Sequence, residues 1–221
     1  MRALTLALLL LAPLAHAETN RDQRAADTLS VEGGMHLGAI EGGEYTHTTV
    51  GGIYATLGLQ VSPDFVLEGR LQTAGDPFAR GYGSTGWSFG VARYLTDTLR
   101  LGGGVRYRRF TDGTGLGEAI GRAFASGFCL DEPACLASIT SDDIITWDMG
   151  AEITLASRWH WDVFTLGVEW IALYQPLAVL GAERVFRNVE GERVGAKTFD
   201  PNVRDQPREW RALAFTMGVS F

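Results

Sequence analysis

Leu213, Phe215, Met217, Val219 and Phe221 alternate with Ala212, Ala214, Thr216, Gly218 and Ser220. Successive side chains of a strand point to opposite faces, so this stretch has one greasy face and one small or polar face. The same period of two recurs along the chain. It predicts strands near Thr28–Ile40, Thr48–Val61, Asp64–Ala74, Ser84–Leu95, Thr98–Phe110, Ile144–Ser157 and Trp161–Tyr174, with the terminal stretch from Arg211 as the eighth. Each is long enough for a tilted strand crossing a bilayer, which takes about 9–11 residues. The connections alternate in length. Ser62-Pro63, Thr96-Asp97 and Arg158-Trp159-His160 read as tight turns, whereas Glu41–His47, Gly75–Gly83, Thr111–Asp143 and Gln175–Arg208 read as longer linkers.

The second face of these strands carries charge. Glu32, Glu68, Arg70, Arg100, Arg106, Arg108, Asp148, Glu152 and Glu169 share the parity opposite to the apolar set. If the apolar set faces lipid, these residues line a lumen and must pair, because isolated charges there are costly. Two uses are open: a salt-bridged plug, or a narrow ion path. The plug is favoured, since eight strands enclose a space that side chains just fill. Lys197 is the only lysine, and every other strong base is Arg. Arg forms planar bidentate pairs with carboxylates, which suits a crowded polar interior.

Met1–Ala17 has a basic Arg2, an apolar run and an Ala15-His16-Ala17 exit. This is the pattern of a cleaved signal peptide. The expected organisation is a signal peptide at 1–17, an N-terminal segment at 18–27 and a β domain at 28–221. Removing the first segment takes away one base and no acid, moving the net charge from −7 to −8. No basic patch points to nucleic acid. Trp87, Tyr107, Trp147, Tyr174 and Trp210 fall near one set of strand ends, and Phe65, Tyr94, Trp159, Trp161 and Phe221 near the other. Two aromatic girdles are expected of a membrane barrel. Trp210 has the wrong parity for a lipid-facing residue, which a bulge or a later strand start would explain.

The strand pattern, the loop asymmetry and the terminal Phe221 resemble small eight-stranded bacterial outer-membrane β-barrels, of the OmpA transmembrane-domain or OmpX-like type. The resemblance implies an antiparallel up-and-down barrel in the cell outer membrane, with short periplasmic turns and long outer loops. It implies contact with outer-membrane lipid and lipopolysaccharide, and Phe221 as the signal read by the barrel-assembly machinery. Its roles are structural, adhesive or surface-interacting, sometimes with poor passage of small solutes. A non-enzymatic surface role is therefore the main expectation, with no cofactor and no metal. A narrow channel for ions or small hydrophobic solutes is one alternative, and a lipid A-modifying barrel enzyme is another. A lipocalin shares eight up-and-down strands and a signal peptide. Gly86-Trp87 is only loosely like its Gly-x-Trp signature, since the spacing is wrong and it falls in the fourth strand rather than the first, and Phe221, the girdles and the loop asymmetry weigh against that fold.

Residues that could carry chemistry are few. Cys129 and Cys135, spaced C-x5-C in the longest loop, read as a surface disulfide in an oxidising compartment. Leu116–Phe128 could form a short helix in that loop. His36 and His47 could approach each other, but no third orienting group can be named, so rim histidines are favoured. His160 reads as an interface residue. The deacylase type of barrel enzyme uses a close His-x-Ser, whereas Thr48 and Thr49 follow His47 here. Ser84 and Asp143 lie near outer strand ends, with no tie to a histidine in the sequence.

Overall fold

The computed structural model describes residues 17–42, 45–75, 82–114, 127 and 138–221. One helix, α1 (Ala17–Ala26), precedes nine strands: β1 (Leu29–Gly42), β2 (Tyr45–Ser62), β3 (Phe65–Gly75), β4 (Gly83–Tyr94), β5 (Leu99–Thr114), β6 (Ser141–Trp161), β7 (Phe164–Arg187), β8 (Arg193–Phe199) and β9 (Arg208–Ser220). Among the described residues, β1 to β7 and β9 form a closed antiparallel ring of eight strands. Closure runs from Ser30↔Ser220 to Glu41↔Arg208. Phe221 extends it, its N–H donating to the Leu29 carbonyl at 2.8 Å. A closed ring leaves no edge within the wall, so every wall strand finds backbone partners on both sides.

The molecule is apolar outside and charged inside. Met35, Leu37, Leu71, Phe215 and Met217 are each at least 57% exposed, whereas Arg106, Arg108 and Asp148 are fully buried. Water would not tolerate so continuous an apolar wall, but hydrocarbon would. This settles which face of the alternating strands points outward, and a lipocalin would have the opposite arrangement.

Three expected connections are redrawn. Arg158, Trp159 and His160 lie within β6, and the turn follows at Asp162–Val163, where Asp162 has φ +55°. Glu41–His47 is mostly strand, since Gly42 pairs with Tyr45 and only residues 43 and 44 separate β1 from β2. Gln175–Arg208 is no open loop. β7 continues to Arg187, turns and returns as β8, which pairs with β7 from Ala182↔Phe199 to Arg187↔Arg193. Asn188 builds that turn, its side-chain oxygen accepting from the backbone N–H groups of Glu190 and Glu192, with Gly191 at φ +80°. β6, β7 and β8 thus stand as a small sheet above the ring. Cys129 and Cys135, residues 115–126 and the side chain of His47 lie outside the described residues.

The girdles are also partly redrawn. Trp87 and Tyr107 stack on the outer wall with ring centroids 5.9 Å apart, and Phe65 and Trp161 are exposed at the opposite end. Tyr94 and Tyr174, expected in the girdles, instead point inward and are buried.

Different groups gather at the two ends of the lumen. At the long-loop end Ile40, Val50, Ala74 and Phe110 meet in an apolar cluster, with Tyr82 packed against it. At the short-turn end α1 lies across the mouth. Arg24 donates to the carbonyls of Pro63 and Asp97 and sits 3.8 Å above the Tyr94 ring. Asn20 accepts from the His160 N–H at 2.7 Å. One helix therefore ties the turn after β2, the turn after β4 and the end of β6 together.

Glycines give a paired test of wall packing. A Cβ on Gly52 would lie 1.8 Å from the Thr73 carbonyl oxygen, a backbone atom that cannot swing away, whereas one on Gly69 meets nothing within 4 Å. Gly52→Ala is expected to destabilise the barrel by at least the roughly 1–3 kcal/mol typical of overpacking. Gly69→Ala should leave it unchanged. Urea unfolding in detergent micelles, followed by heat-modifiable gel migration, checks both.

Candidate functional site

Inward positions of six strands build a charge assembly in three tiers. Nearest the short turns, Arg158 on β6 donates to Glu32 on β1 at 2.8 Å, and Arg100 on β5 pairs with Glu68 on β3. In the middle, Arg70 on β3 reaches Glu169 on β7 at 2.8 Å and Glu152 on β6 at 3.7 Å. Arg211 on β9 touches Glu169 and Glu152, both at 3.2 Å, and donates to the Gln72 side chain at 2.6 Å. Arg106 on β5 forks onto Glu209 on β9 at 2.9 and 3.1 Å and approaches Glu152 at 3.4 Å. Towards the long loops, Arg108 binds Asp148 on β6 at 2.6 Å and the Pro207 carbonyl at 2.9 Å. The Tyr174 hydroxyl donates to the same Asp148 at 2.5 Å, while its ring lies 4.8 Å from both the Arg106 and the Arg108 guanidinium.

Six arginines (70, 100, 106, 108, 158 and 211) thus face six carboxylates (Glu32, Glu68, Asp148, Glu152, Glu169 and Glu209). The charges named cancel. Several of these bonds cross the lumen rather than running along one wall: β3 and β7 lie opposite each other in the ring, as do β4 and β9, joined by Ser84 donating to Glu209 at 3.4 Å. Guanidinium groups suit this work because each offers several donors in a rigid plane to more than one carboxylate.

All nine charges read from the sequence as inward-facing, Glu32, Glu68, Arg70, Arg100, Arg106, Arg108, Asp148, Glu152 and Glu169, sit on inward positions of this assembly. Arg158, Glu209 and Arg211 are not among them. In the sequence Arg158 reads as part of a turn. Glu209 and Arg211 share the ideal-strand parity of Leu213 and Phe215 and so read as lipid-facing. A bulge reverses that parity. Pairing of β1 with β9 jumps from Met35↔Phe215 to Leu37↔Ala212, and Leu213 takes φ +62°. The misplaced parity of Trp210 is the signal for it. A second bulge sits beside the first at Trp170 on β7, whose indole N–H donates to Ser157 at 2.9 Å. It turns Ala172 and Tyr174 inward.

The histidines do not assemble an acid–base site among the described residues. His36 lies inside, its Nε2 3.2 Å from the Thr73 carbonyl. His160, expected at an interface, is buried beneath α1, 3.4 Å from the Tyr94 hydroxyl and 4.0 Å from Asp27. Asp143 binds Arg187 at 2.6 Å, and Ser84 turns to Glu209. Two lumen cavities among the described residues are small. A cavity of about 30 Å³ lies between Arg70, Glu152 and the facing Gly90 and Gly104, and one of about 10 Å³ lies above α1 beside Asp27, Arg100 and His160. These are volumes for water molecules, not for an organic substrate.

Arg211 is the cation shared by Glu152, Glu169 and Glu209, the last at 3.7 Å. Arg211→Met should therefore destabilise the barrel by about 3–5 kcal/mol, the usual cost of leaving buried charge uncompensated. Arg211→Lys should recover only part, because an ammonium cannot fork across separate carboxylates. Urea midpoints in detergent micelles measure both.

No protein-family model and no curated protein matches this sequence. Solved structures do. Neisserial surface protein A (NspA) aligns with a TM-score of 0.53 over 87% of this chain and 97% of its own, at 9% identity. A major outer membrane protein from Thermus thermophilus aligns with a TM-score of 0.52 over 87% and 99%, at 13% identity. At such identities the likeness is one of fold: this chain has the architecture of small outer-membrane β-barrels, closed through eight strands.

Proposed function

We propose that this protein is a non-enzymatic outer-membrane barrel whose ring is a sealed support, and whose outer strands and loops carry the role in surface interaction. The observation that supports this best is the cross-lumen network. The named carboxylates are held by guanidinium groups, an apolar cluster gathers at one end of the lumen, and α1 lies across the other. Such an interior is a brace. Such pairing leaves none of the six named carboxylates free to act as a base, and it works against a water-filled path.

The orientation follows from the loops. The short turns and α1 face the periplasm, and the sheet of β6, β7 and β8 stands outside. Signal-peptide removal near Ala17, recognition of Phe221 by the barrel-assembly machinery, a Cys129–Cys135 disulfide and contact with lipopolysaccharide belong to this reading. Val189 at the tip of the β7–β8 turn is 84% exposed, which suits a displayed element more than a packed one.

Outer-membrane fractionation with heat-modifiable migration tests the location, and planar-bilayer recording of the refolded protein tests the lumen. The expected recording is flat, with no unitary steps. Stable single-channel steps would show a conducting path and favour the narrow-channel alternative.

A further inference from the structure

The outer wall carries a recess that the lumen network does not explain. At the long-loop end of the apolar band, Thr73 on β3 and Thr85 on β4 are register partners, and their short side chains form a floor. Ile53 on β2 bounds it on one side, paired with Thr73. Arg109 on β5 bounds it on the other, paired with Thr85. One row towards the membrane centre stand Leu71, Trp87 and Tyr107, with Leu71 65% and Trp87 53% exposed. These residues border an open recess of about 540 Å³ on the exterior of the barrel.

Its chemistry is uneven. The walls are apolar and aromatic, the floor presents two hydroxyls, and one end is a cation. Arg109 faces away from the lumen and is exposed, and among the described residues no carboxylate pairs with it. The inward arginines on the same strand, Arg100, Arg106 and Arg108, all have acid partners. Arg109 lies ten residues above the start of β5 at Leu99, so a strand tilted as in such barrels places it near the upper edge of an apolar band about 25 Å tall. A guanidinium there meets lipid headgroups rather than acyl chains, and it binds phosphate bidentately. The stacked Trp87 and Tyr107 rings beside it offer flat faces against which a sugar ring can pack.

We propose that this recess seats the phosphorylated sugar headgroup of a lipid A molecule, with phosphate on Arg109, the sugar over Thr73 and Thr85 against Trp87 and Tyr107, and an acyl chain descending past Leu71. The assignment rests on the outer-membrane reading and gives lipid contact one address on the wall.

Native mass spectrometry of the folded protein in detergent, titrated with lipid A, tests it. Arg109→Gln should weaken binding about tenfold, the scale of one lost charge-assisted contact. Arg93→Gln removes another outward arginine, one that lies over Phe65 near the short turns, and should leave binding unchanged. Dephosphorylated lipid A and phosphatidylethanolamine should bind the wild type as weakly as lipid A binds Arg109→Gln. Heat-modifiable migration of both variants verifies that they fold, because neither side chain enters the lumen. Equal loss in the two variants, or equal binding of phosphatidylethanolamine and lipid A, would overturn the site. If binding fails while fractionation still finds the protein in the outer membrane, the site alone falls. If fractionation finds it elsewhere, the reading beneath the site falls as well.

Discussion

Charge placed inside a ring of eight strands must be neutralised there, and the rest of this structure answers to that constraint. The enclosed space is too narrow to hydrate a dozen ionised groups separately. Arg70, Arg106 and Arg211 therefore share Glu152, Glu169 and Glu209 as one cluster, with further pairs above and below. Because the partners sit on different walls, the register of each strand matters for the others. A slip of one residue would send a guanidinium into lipid and a leucine into the cluster. Polar satisfaction inside and apolar burial in lipid outside thus select the same register, the kind of agreement between levels that specifies a single fold.

Parity is also where the sequence is readable and where it misleads. Period-two alternation locates the eight ring strands, because a wall with one apolar and one polar face leaves that trace in each strand. Glu68, Arg70, Arg106 and Glu152 can be placed inward on the same ground. Bulges break the count. The adjacent bulges at Trp170 and Leu213 shift everything beyond them by one, so that Tyr174, Glu209 and Arg211 point inward although ideal strands would turn them out. A bulge has no fixed residue signature, and here the visible symptom is a tryptophan on the wrong face. The β7–β8 hairpin escapes the pattern for another reason. It lies beyond the closed ring, where strands need not alternate apolar with polar, and Pro176 interrupts the run. Pro176 supplies no N–H to a ladder, and the β6–β7 pairing skips Leu177 beside it.

The two ends of the barrel are finished differently. An apolar cluster lies on the loop side, drawn from inward positions of β1, β2, β3 and β5 just past the charged tiers. The turn side is closed by a short polar helix that packs little apolar surface and holds on through Arg24 and Asn20. Beyond the braced middle, two features project from the ring: the sheet of β6, β7 and β8, and the recess beside Arg109 on the apolar wall. An architecture shared at such low identity does not carry a role, so what sets this chain apart has to be sought in particular side chains.

A double-mutant cycle across the lumen tests the central claim most directly. Arg70→Met, Glu169→Gln and the double variant would be unfolded in urea from detergent micelles, since these residues bridge opposite walls at 2.8 Å. A braced interior predicts a coupling energy of at least about 1.5 kcal/mol, in the range of close, desolvated charge pairs. Additive effects, with coupling near zero, would mean that the two walls do not feel each other and that the lumen is open and hydrated.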